Sequence, residues 1–252
     1  SHPVHRRLTG REIEIVKGSI GENLSGRKVA RNITSITGKS CLTQRTVWNA
    51  KSAIKLAELD GKSIIEVLFS QMTESSWVYE SKFNDQNVLE SLFMAHPSSI
   101  SLAQRFHHVA ILDSTYKTNK YSLPLLQIVG ITSSRKTFTV GLALLAREID
   151  SYYTWALECL NKLVWKGGMV PKVFVTDRDK AVANAIARVF PNAAHHLCSW
   201  HIENNVISEC KKFFAEGESE AWTEFMKKWR AVIFSPTVDD YADNVAQLRK
   251  SL

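Results

Sequence analysis

Two short apolar runs in the middle of the chain each end on an aspartate, and this pair of features limits the possible folds most. The run HVAIL at 108–112 leads into Asp113, and the run VFVT at 173–176 leads into Asp177. Apolar runs of this length predict buried strands. If the two strands lie side by side and parallel, their two carboxylates meet at the same edge of one sheet.

The segments around these runs supply the remaining elements of a sheet domain. Residues 121–131 and 137–146 have the pattern of two further strands, and a helix is predicted at 151–164. A second helix is predicted at 181–190, after the last strand. Three successive strands, a helix, a strand and a helix is the order of an RNase H-like domain, in which a helix joins three antiparallel strands to a parallel one. We therefore predict an α/β fold: an RNase H-like mixed sheet with flanking helices.

The N-terminal part of the chain has a different pattern, with the periodicity of short helices. Helices are predicted from about residue 9 to 20, 25 to 36, 43 to 56 and 62 to 72, followed by a hairpin around 84–87. We predict a small, mostly helical domain over residues 1–95 and the RNase H-like domain over residues 96–252. From residue 203 onward, aromatic residues at helical spacing indicate the start of a helical insertion.

Positive charge is concentrated in the first 56 residues. They hold eleven Lys and Arg and three Glu, a net charge of +8, whereas the whole chain has a net charge of +7. Clustered cations favour a polyanionic partner because binding releases counterions from phosphates. Three short helices with a turn at Gly38 are compatible with a helix-turn-helix, and equally with a helical subdomain that has a solvated basic face. The candidate DNA-binding residues are Arg27, Lys28, Arg31, Arg45, Lys117 and Asn119.

Two classes of protein are disfavoured by composition. No apolar run approaches the ~20 residues that a membrane-spanning helix needs, so no membrane partner is predicted. The four cysteines are too few and too scattered for a disulfide scaffold, which favours a reducing compartment.

Asp113 and Asp177 are the candidate catalytic and metal-binding residues. Two carboxylates side by side repel each other unless cations lie between them, which is the ligand arrangement of a two-metal phosphoryl-transfer site. Mg²⁺ or Mn²⁺ is therefore the predicted cofactor. An Asp at the end of a strand is also a common turn former, and Asp177 could simply cap the helix that follows it.

Several linked blocks of sequence resemble one family. The run DSTYKTN at 113–119 resembles the D-x-T-Y-x-T-N block of Mutator-like element (MULE) transposases. The runs TDRD at 176–179 and CSWHI at 198–202 resemble the second block of that family, and Glu148 fits between the two blocks. The resemblance is dense over residues 92–206 and extends to the related far-red impaired response proteins.

This resemblance implies a function as well as a fold. Asp113 and Asp177 match the first two acids of the DDE catalytic triad of a transposase. Such an enzyme cuts double-stranded DNA at terminal inverted repeats and transfers the strand into target DNA. The resemblance further implies a nuclear location, and a homodimer is compatible with it. The alternative is a domesticated, non-catalytic DNA-binding transcription regulator of the far-red impaired response type.

The third acid of the triad is not identified in the sequence. In the family it is a Glu beyond a long helical insertion, so we expect the chain to be an incomplete fragment, and whether it is an enzyme stays open. Glu209 and Glu203 are the candidates within the chain. Cys198 and His201 match the family's C-x-x-H motif, for which we favour a role in ordering the junction with the insertion. Zinc is not predicted, because a zinc site would need two further ligands.

Overall fold

The computed structural model describes residues 7–22, 24–39, 41–59, 61–116, 118–119, 121–166, 168–214 and 219–250. The chain forms two compact units, Ser1–Ser75 and Ser76–Leu252. The division falls after Ser75 rather than near residue 95, because the hairpin that precedes residue 95 pairs with the sheet of the second unit. Within the described ranges, no helix is both long enough and apolar enough to cross a membrane.

The first unit contains the predicted helices. They are α1 (Gly10–Gly21), α2 (Gly26–Thr37), α3 (Gln44–Glu58) and α4 (Ile64–Glu74). Thr9 and Ser63 each begin a helix with a capping box, in which side chain and backbone satisfy each other's free hydrogen-bonding groups. The core between α1, α2 and α3 is formed by Val16, Val29, Ala30, Ile33 and Val47. These helices confirm a small helical region ahead of the sheet domain.

Glu12 is a buried acid in this first unit, with only 2% of its surface exposed. It accepts a hydrogen bond from Thr9 N at 2.7 Å and pairs with Lys39 Nζ at 3.0 Å. Burial alone would raise the pKa of Glu12, but the Thr9 N–H and the Lys39 charge outweigh burial and lower the pKa. A lowered pKa gives stability that is present above the unfolded-state pKa of about 4.3 and is lost as pH falls through the folded-state pKa.

We expect Glu12→Gln to lose this pH dependence. At pH 7 the variant should exchange the amide hydrogens of α1 and α2 faster than the natural chain, and the difference should shrink as pH falls below about 4. Amide hydrogen exchange corrected for intrinsic rates measures this effect. Glu14→Gln is the matched control, because Glu14 is an exposed residue of the same helix that pairs with Lys17. An equal effect of both substitutions would contradict the assigned role of Glu12.

The second unit is built on one seven-stranded sheet. Its strands are β1 (Val78–Phe83), β2 (Leu89–Ala95), β3 (Val109–Thr115), β4 (Leu125–Ile131), β5 (Thr137–Leu144), β6 (Val173–Thr176) and β7 (Ala194–Leu197). Their order is β1-β2-β5-β4-β3-β6-β7. Strands β3, β4 and β5 are antiparallel, whereas β6 is parallel to β3 and β7 is parallel to β6. This arrangement confirms the predicted RNase H-like fold, with an added hairpin β1–β2 at one edge and a strand, β7, that was not predicted.

Helices cover the sheet and continue beyond it. They are α5 (Pro97–Arg105), α6 (Asp150–Leu160), α7 (Lys180–Val189), α8 (Ser199–Cys210), α9 (Ser219–Ile233) and α10 (Val238–Lys250). Helix α6 continues through a π-helical turn, Asn161–Trp165, and packs against α7. The core includes Phe93, Leu126, Leu157 and Phe174. The helices α8 to α10 agree with the predicted helical segment after the sheet.

Candidate active site

The two predicted acids lie at the carboxyl ends of neighbouring parallel strands. In the ladder between β3 and β6, Ile111 is opposite Val175. The ladder ends at this pair, and Asp113 and Asp177 each follow it by two residues along their chains. Adjacent strands are about 4.8 Å apart, and residues two apart on a strand point to the same face. His201, whose Nε2 contacts Asp113, lines one cleft with Asp177, so both acids lie at the same edge of the sheet.

Asp113 is accessible and has a histidine beside it. Its side chain is 43% exposed, and its Oδ1 lies 3.5 Å from Nε2 of His201. His201 is in the first turn of α8, so this contact joins the end of β3 to the helix after β7. The Nδ1 atom of His201 is buried and has no hydrogen-bond partner among the described residues. His201 therefore contacts the candidate site directly.

Asp177 and Asp179 have different roles in the turn after β6. Asp179 is the N-cap of α7, where its Oδ1 accepts hydrogen bonds from Ala181 N at 2.6 Å and Val182 N at 3.4 Å. Asp177 Oδ1 accepts the N–H of Asp179 at 3.2 Å. The capping function that was an alternative reading of Asp177 is thus performed by Asp179. The Asp177 carboxylate retains acceptor capacity at the end of its strand.

A third carboxylate, that of Glu148, lies close to this pair. Tyr153 donates a hydrogen bond from its hydroxyl to Glu148 Oε1 at 3.2 Å, and the same hydroxyl lies 3.0 Å from Ser114 Oγ. Burial and the charge of Glu148 raise the pKa of Tyr153 despite its hydrogen bond with Ser114. This chain of contacts connects the residue after Asp113 to the start of α6.

Tyr116 also interacts with Glu148. A hydrogen bond with Glu148, burial, and the negative charges of Glu148, Asp179 and Asp177 raise the pKa of Tyr116 to about 12. The phenol is therefore protonated at neutral pH and acts as a donor. Sequence reasoning noted Glu148 only as part of a family block and assigned it no role. The available signal was an acid immediately before a predicted helix that carries a tyrosine.

The two candidates for a further catalytic acid are in different surroundings. Glu209 lines a cleft of about 450 Å³ together with Asp177, Cys198 and His201, and it pairs with Lys212 at 2.9 Å. Glu203 instead accepts a hydrogen bond from Arg230 Nε of α9 at 3.0 Å. Of the two, Glu209 shares a cleft with the predicted site, whereas Glu203 joins α8 to α9.

The C-x-x-H motif lies where the sheet passes into the helical segment. The backbone N–H of Cys198 donates to Thr176 O at 2.6 Å, and His195 Nε2 lies 2.8 Å from Thr176 Oγ1. Burial, with a smaller contribution from His196, lowers the pKa of His195. Across the described ranges, no three His, Cys, Asp or Glu side chains are grouped so that they could hold a metal ion. The oxygen donors of Asp113 and Asp177 nevertheless fit the preference of Mg²⁺ or Mn²⁺ for carboxylates.

The candidate DNA-binding residues are in three different settings. Arg27, Lys28, Arg31 and Arg45 are exposed on α2 and α3 of the first unit, and Arg27 Nε donates to Gln44 Oε1 at 3.1 Å. Asn119 is in the loop after β3, where its Oδ1 accepts from Tyr121 N and Leu123 N and its Nδ2 donates to Leu123 O. The amide of Asn119 thus shapes this loop. Lys117 lies outside the described residues.

Comparisons with known proteins agree with this architecture. Residues 109–205 match the family described as the MULE transposase domain. Protein FAR-RED IMPAIRED RESPONSE 1 of Arabidopsis thaliana is 25% identical over 96% of this chain and 27% of its own length. A PKS-NRPS hybrid synthetase, cheA, of Chaetomium globosum is 26% identical over 89% of this chain and 5% of its own length. This chain therefore spans a small part of the relatives that it matches.

A solved structure of the Mos1 strand transfer complex aligns over 97% of this chain and 96% of its own chain, with 10% identity and a TM-score of 0.27. The fold assignment therefore depends on strand order and direction rather than on this alignment. The matched region includes both Asp113 and Asp177 and ends within α8. Residues 109–205 thus match the MULE transposase domain family, and the chain that contains them is homologous to the far-red impaired response proteins.

Proposed function

We propose that this chain is the core of a DNA transposase that cleaves and transfers DNA strands at the ends of a mobile element. The observation that supports the proposal is the contact of His201 with Asp113, because His201 also lines one cleft with Asp177 at the carboxyl ends of the parallel strands β3 and β6. A pair of carboxylates at this edge is suited to metal-assisted phosphoryl transfer. The partners in the proposal are the terminal inverted repeats and target DNA, acted on by a homodimer in the nucleus.

Asp113 and Asp177 would hold Mg²⁺ or Mn²⁺ in this proposal. The bound ions would activate a water or a 3′-hydroxyl and stabilise the leaving oxygen. The protein's contribution is to hold the two carboxylates in place. His201 contacts Asp113, and the backbone N–H of Asp179 binds Asp177. A third acid completes the proposal, and Glu209 is its candidate within this chain.

Nicking of end-labelled duplex DNA in Mg²⁺ or Mn²⁺ tests the proposal, with EDTA as the control for metal dependence. A chain extended past Leu252 should be compared with the chain described here. Activity in this chain that Glu209→Gln abolishes would support Glu209 as the third acid. Activity only in the extended chain would support an acid beyond Leu252. Absence of nicking in both would contradict the enzyme.

A second candidate function is a non-catalytic DNA-binding regulator. It is favoured by the number of relatives of the far-red impaired response type, which include FAR1-RELATED SEQUENCE 4 and 6 of Arabidopsis thaliana. In this case the chain would bind duplex DNA but would not nick it in the presence of Mg²⁺ or Mn²⁺. The unit Ser1–Ser75 would then act as a basic helical region, and the unit Ser76–Leu252 would contain a retained transposase domain.

Both functions assign DNA binding to the basic first unit. Arg27, Lys28 and Arg31 are exposed along one helix. We expect the triple substitution to Gln to weaken duplex binding. The slope of log K against log salt should fall by up to about 0.9 for each lost phosphate contact. Fluorescence anisotropy of a labelled duplex at several salt concentrations measures this slope.

The matched control replaces Lys211, Lys212 and Lys227, which are exposed cations of the second unit, by Gln. The control changes the net charge by the same amount, but its substitutions lie in the second unit. If the two variants change the slope equally, the effect comes from overall charge, and the first unit is not the DNA-binding surface.

A further inference from the structure

Two exposed aromatic side chains are next to the acids of the candidate site. Trp200 is 65% exposed and Tyr116 is 66% exposed, although large aromatic rings are usually mostly buried. Trp200 is in the first turn of α8, and its ring centroid is 4.9 Å from that of His201. His201 also contacts Asp113, so a single residue, His201, lies between the exposed indole and the first acid.

Tyr116 interacts electrostatically with the other acids of the site. It follows Asp113 by three residues, its hydroxyl bonds to Glu148, and the charges of Asp177 and Asp179 act on it. Its hydroxyl is therefore engaged while most of its ring faces solvent. The two exposed rings thus reach the site from different elements, Tyr116 from the end of β3 and Trp200 from the start of α8.

The charge of the site makes these rings useful for DNA binding. Asp113, Asp177, Asp179 and Glu148 all repel a phosphate backbone, which weakens the electrostatic attraction of DNA to this edge. Stacking of bases on aromatic rings supplies affinity that does not depend on local positive charge. In a paired duplex the bases are already stacked on one another. Only an unpaired base has a free face to offer.

We propose that Trp200 and Tyr116 are a stacking platform for unpaired nucleobases, so that the site binds DNA whose bases are unpaired next to the reacting phosphate. This inference rests on the proposed function in taking DNA as the substrate. It goes further by naming the form of the DNA and the side chains that select it. The platform also explains why two large rings stay exposed beside charged residues.

The test compares two probes that have the same sequence and length. One is a fully paired labelled duplex, and the other carries a short unpaired stretch at its centre. Anisotropy is measured with the whole chain in Ca²⁺, which occupies carboxylate sites. The natural chain should bind the unpaired probe at least about fivefold more tightly than the duplex. Trp200→Ala and Tyr116→Ala should each lose most of this preference.

Two matched variants separate stacking from other roles of these residues. Tyr116→Phe removes the hydroxyl that bonds to Glu148 but retains the ring, so the preference should be unchanged. Phe234→Ala removes a ring that is 67% exposed on the helical segment, and the preference should again be unchanged. Circular dichroism of each variant checks that the fold is intact. Equal binding of the two probes by the natural chain, or full preference in both alanine variants, would overturn the inference.

Failure of the inference can be distinguished from failure of the proposed function. Asp113→Asn should abolish nicking but keep the preference for the unpaired probe, since stacking does not need that carboxylate. A preference that Trp200→Ala removes, in a chain that never nicks DNA, would support the platform and contradict the enzyme. Nicking without any preference would support the enzyme and contradict the platform.

Discussion

Replacement of Asp113 or Asp177 by Asn is expected to reduce metal-dependent nicking by on the order of a thousandfold or more. Asn has nearly the same shape as Asp but no charge, and the loss of one carboxylate from a pair removes most of its attraction for a divalent ion. Binding of Mn²⁺, followed by electron paramagnetic resonance of the free ion, should weaken together with nicking. Folding should be unchanged or slightly more stable, because repulsion between the two carboxylates is relieved.

The control for this experiment is Asp179→Asn. Asp179 is in the same turn as Asp177, but its carboxylate caps α7, and Asn caps helices about as well as Asp does. Nicking by this variant should stay within a few-fold of the natural chain. If Asp113→Asn and Asp177→Asn both bind Mn²⁺ and nick DNA as the natural chain does, the assignment of the site is wrong.

Phe174→Ala is expected to lower the free energy of unfolding of the second unit by about 3–5 kcal/mol. Phe174 is in β6, it is 0% exposed, and its ring centroid is 4.9 Å from that of Phe190. Truncation leaves a cavity between the sheet and the helix that packs on it. The strand that ends at Asp177 would lose its main anchor, so nicking should fall along with stability.

Urea unfolding followed by circular dichroism, together with amide hydrogen exchange of β3 and β6, measures this loss. The exchange data separate the second unit from the first, whose protection should be unchanged. Phe213→Ala is the control, because Phe213 is 79% exposed and its truncation should change stability by less than about 0.5 kcal/mol. A loss below about 1 kcal/mol for Phe174→Ala would mean that β6 is not anchored by this ring.

The sequence predicts the central strands well because their apolar residues give a clear local signal of burial. β3 begins with the apolar run VAIL and β6 with VFV, and such short apolar runs are typical of central strands. β7 has the sequence AHHL and is mostly exposed, so it has no such pattern. It is a strand because its backbone pairs with β6, with His196 opposite Val175, and this tertiary pairing has no local signal.

The candidate site is predictable only in part for a similar reason. Asp113 and Asp177 follow strands that the sequence identifies, so their meeting at one edge can be expected before the structure is known. Glu148 belongs to no strand or helix of its own. Its link to the site runs through the Tyr153 hydroxyl to Ser114, 39 positions before Tyr153, and this contact forms only in the folded chain. The compact units divide after Ser75 rather than near residue 95 because β2 pairs with β5, about fifty residues later in the sequence.

The hairpin β1–β2 protects the sheet against pairing with other chains. Without it, the eight-residue β5 would replace the six-residue β1 as the edge strand and present a longer row of free N–H and C=O groups, which is a template for aggregation. Leu92 and Phe93, both 0% exposed, would be missing from the core as well. A recombinant fragment that begins at residue 96 would therefore be expected to self-associate. One that begins at Ser76 retains β1 as its edge strand, and the hairpin is thus the first part of the sheet unit rather than the last part of the helical region.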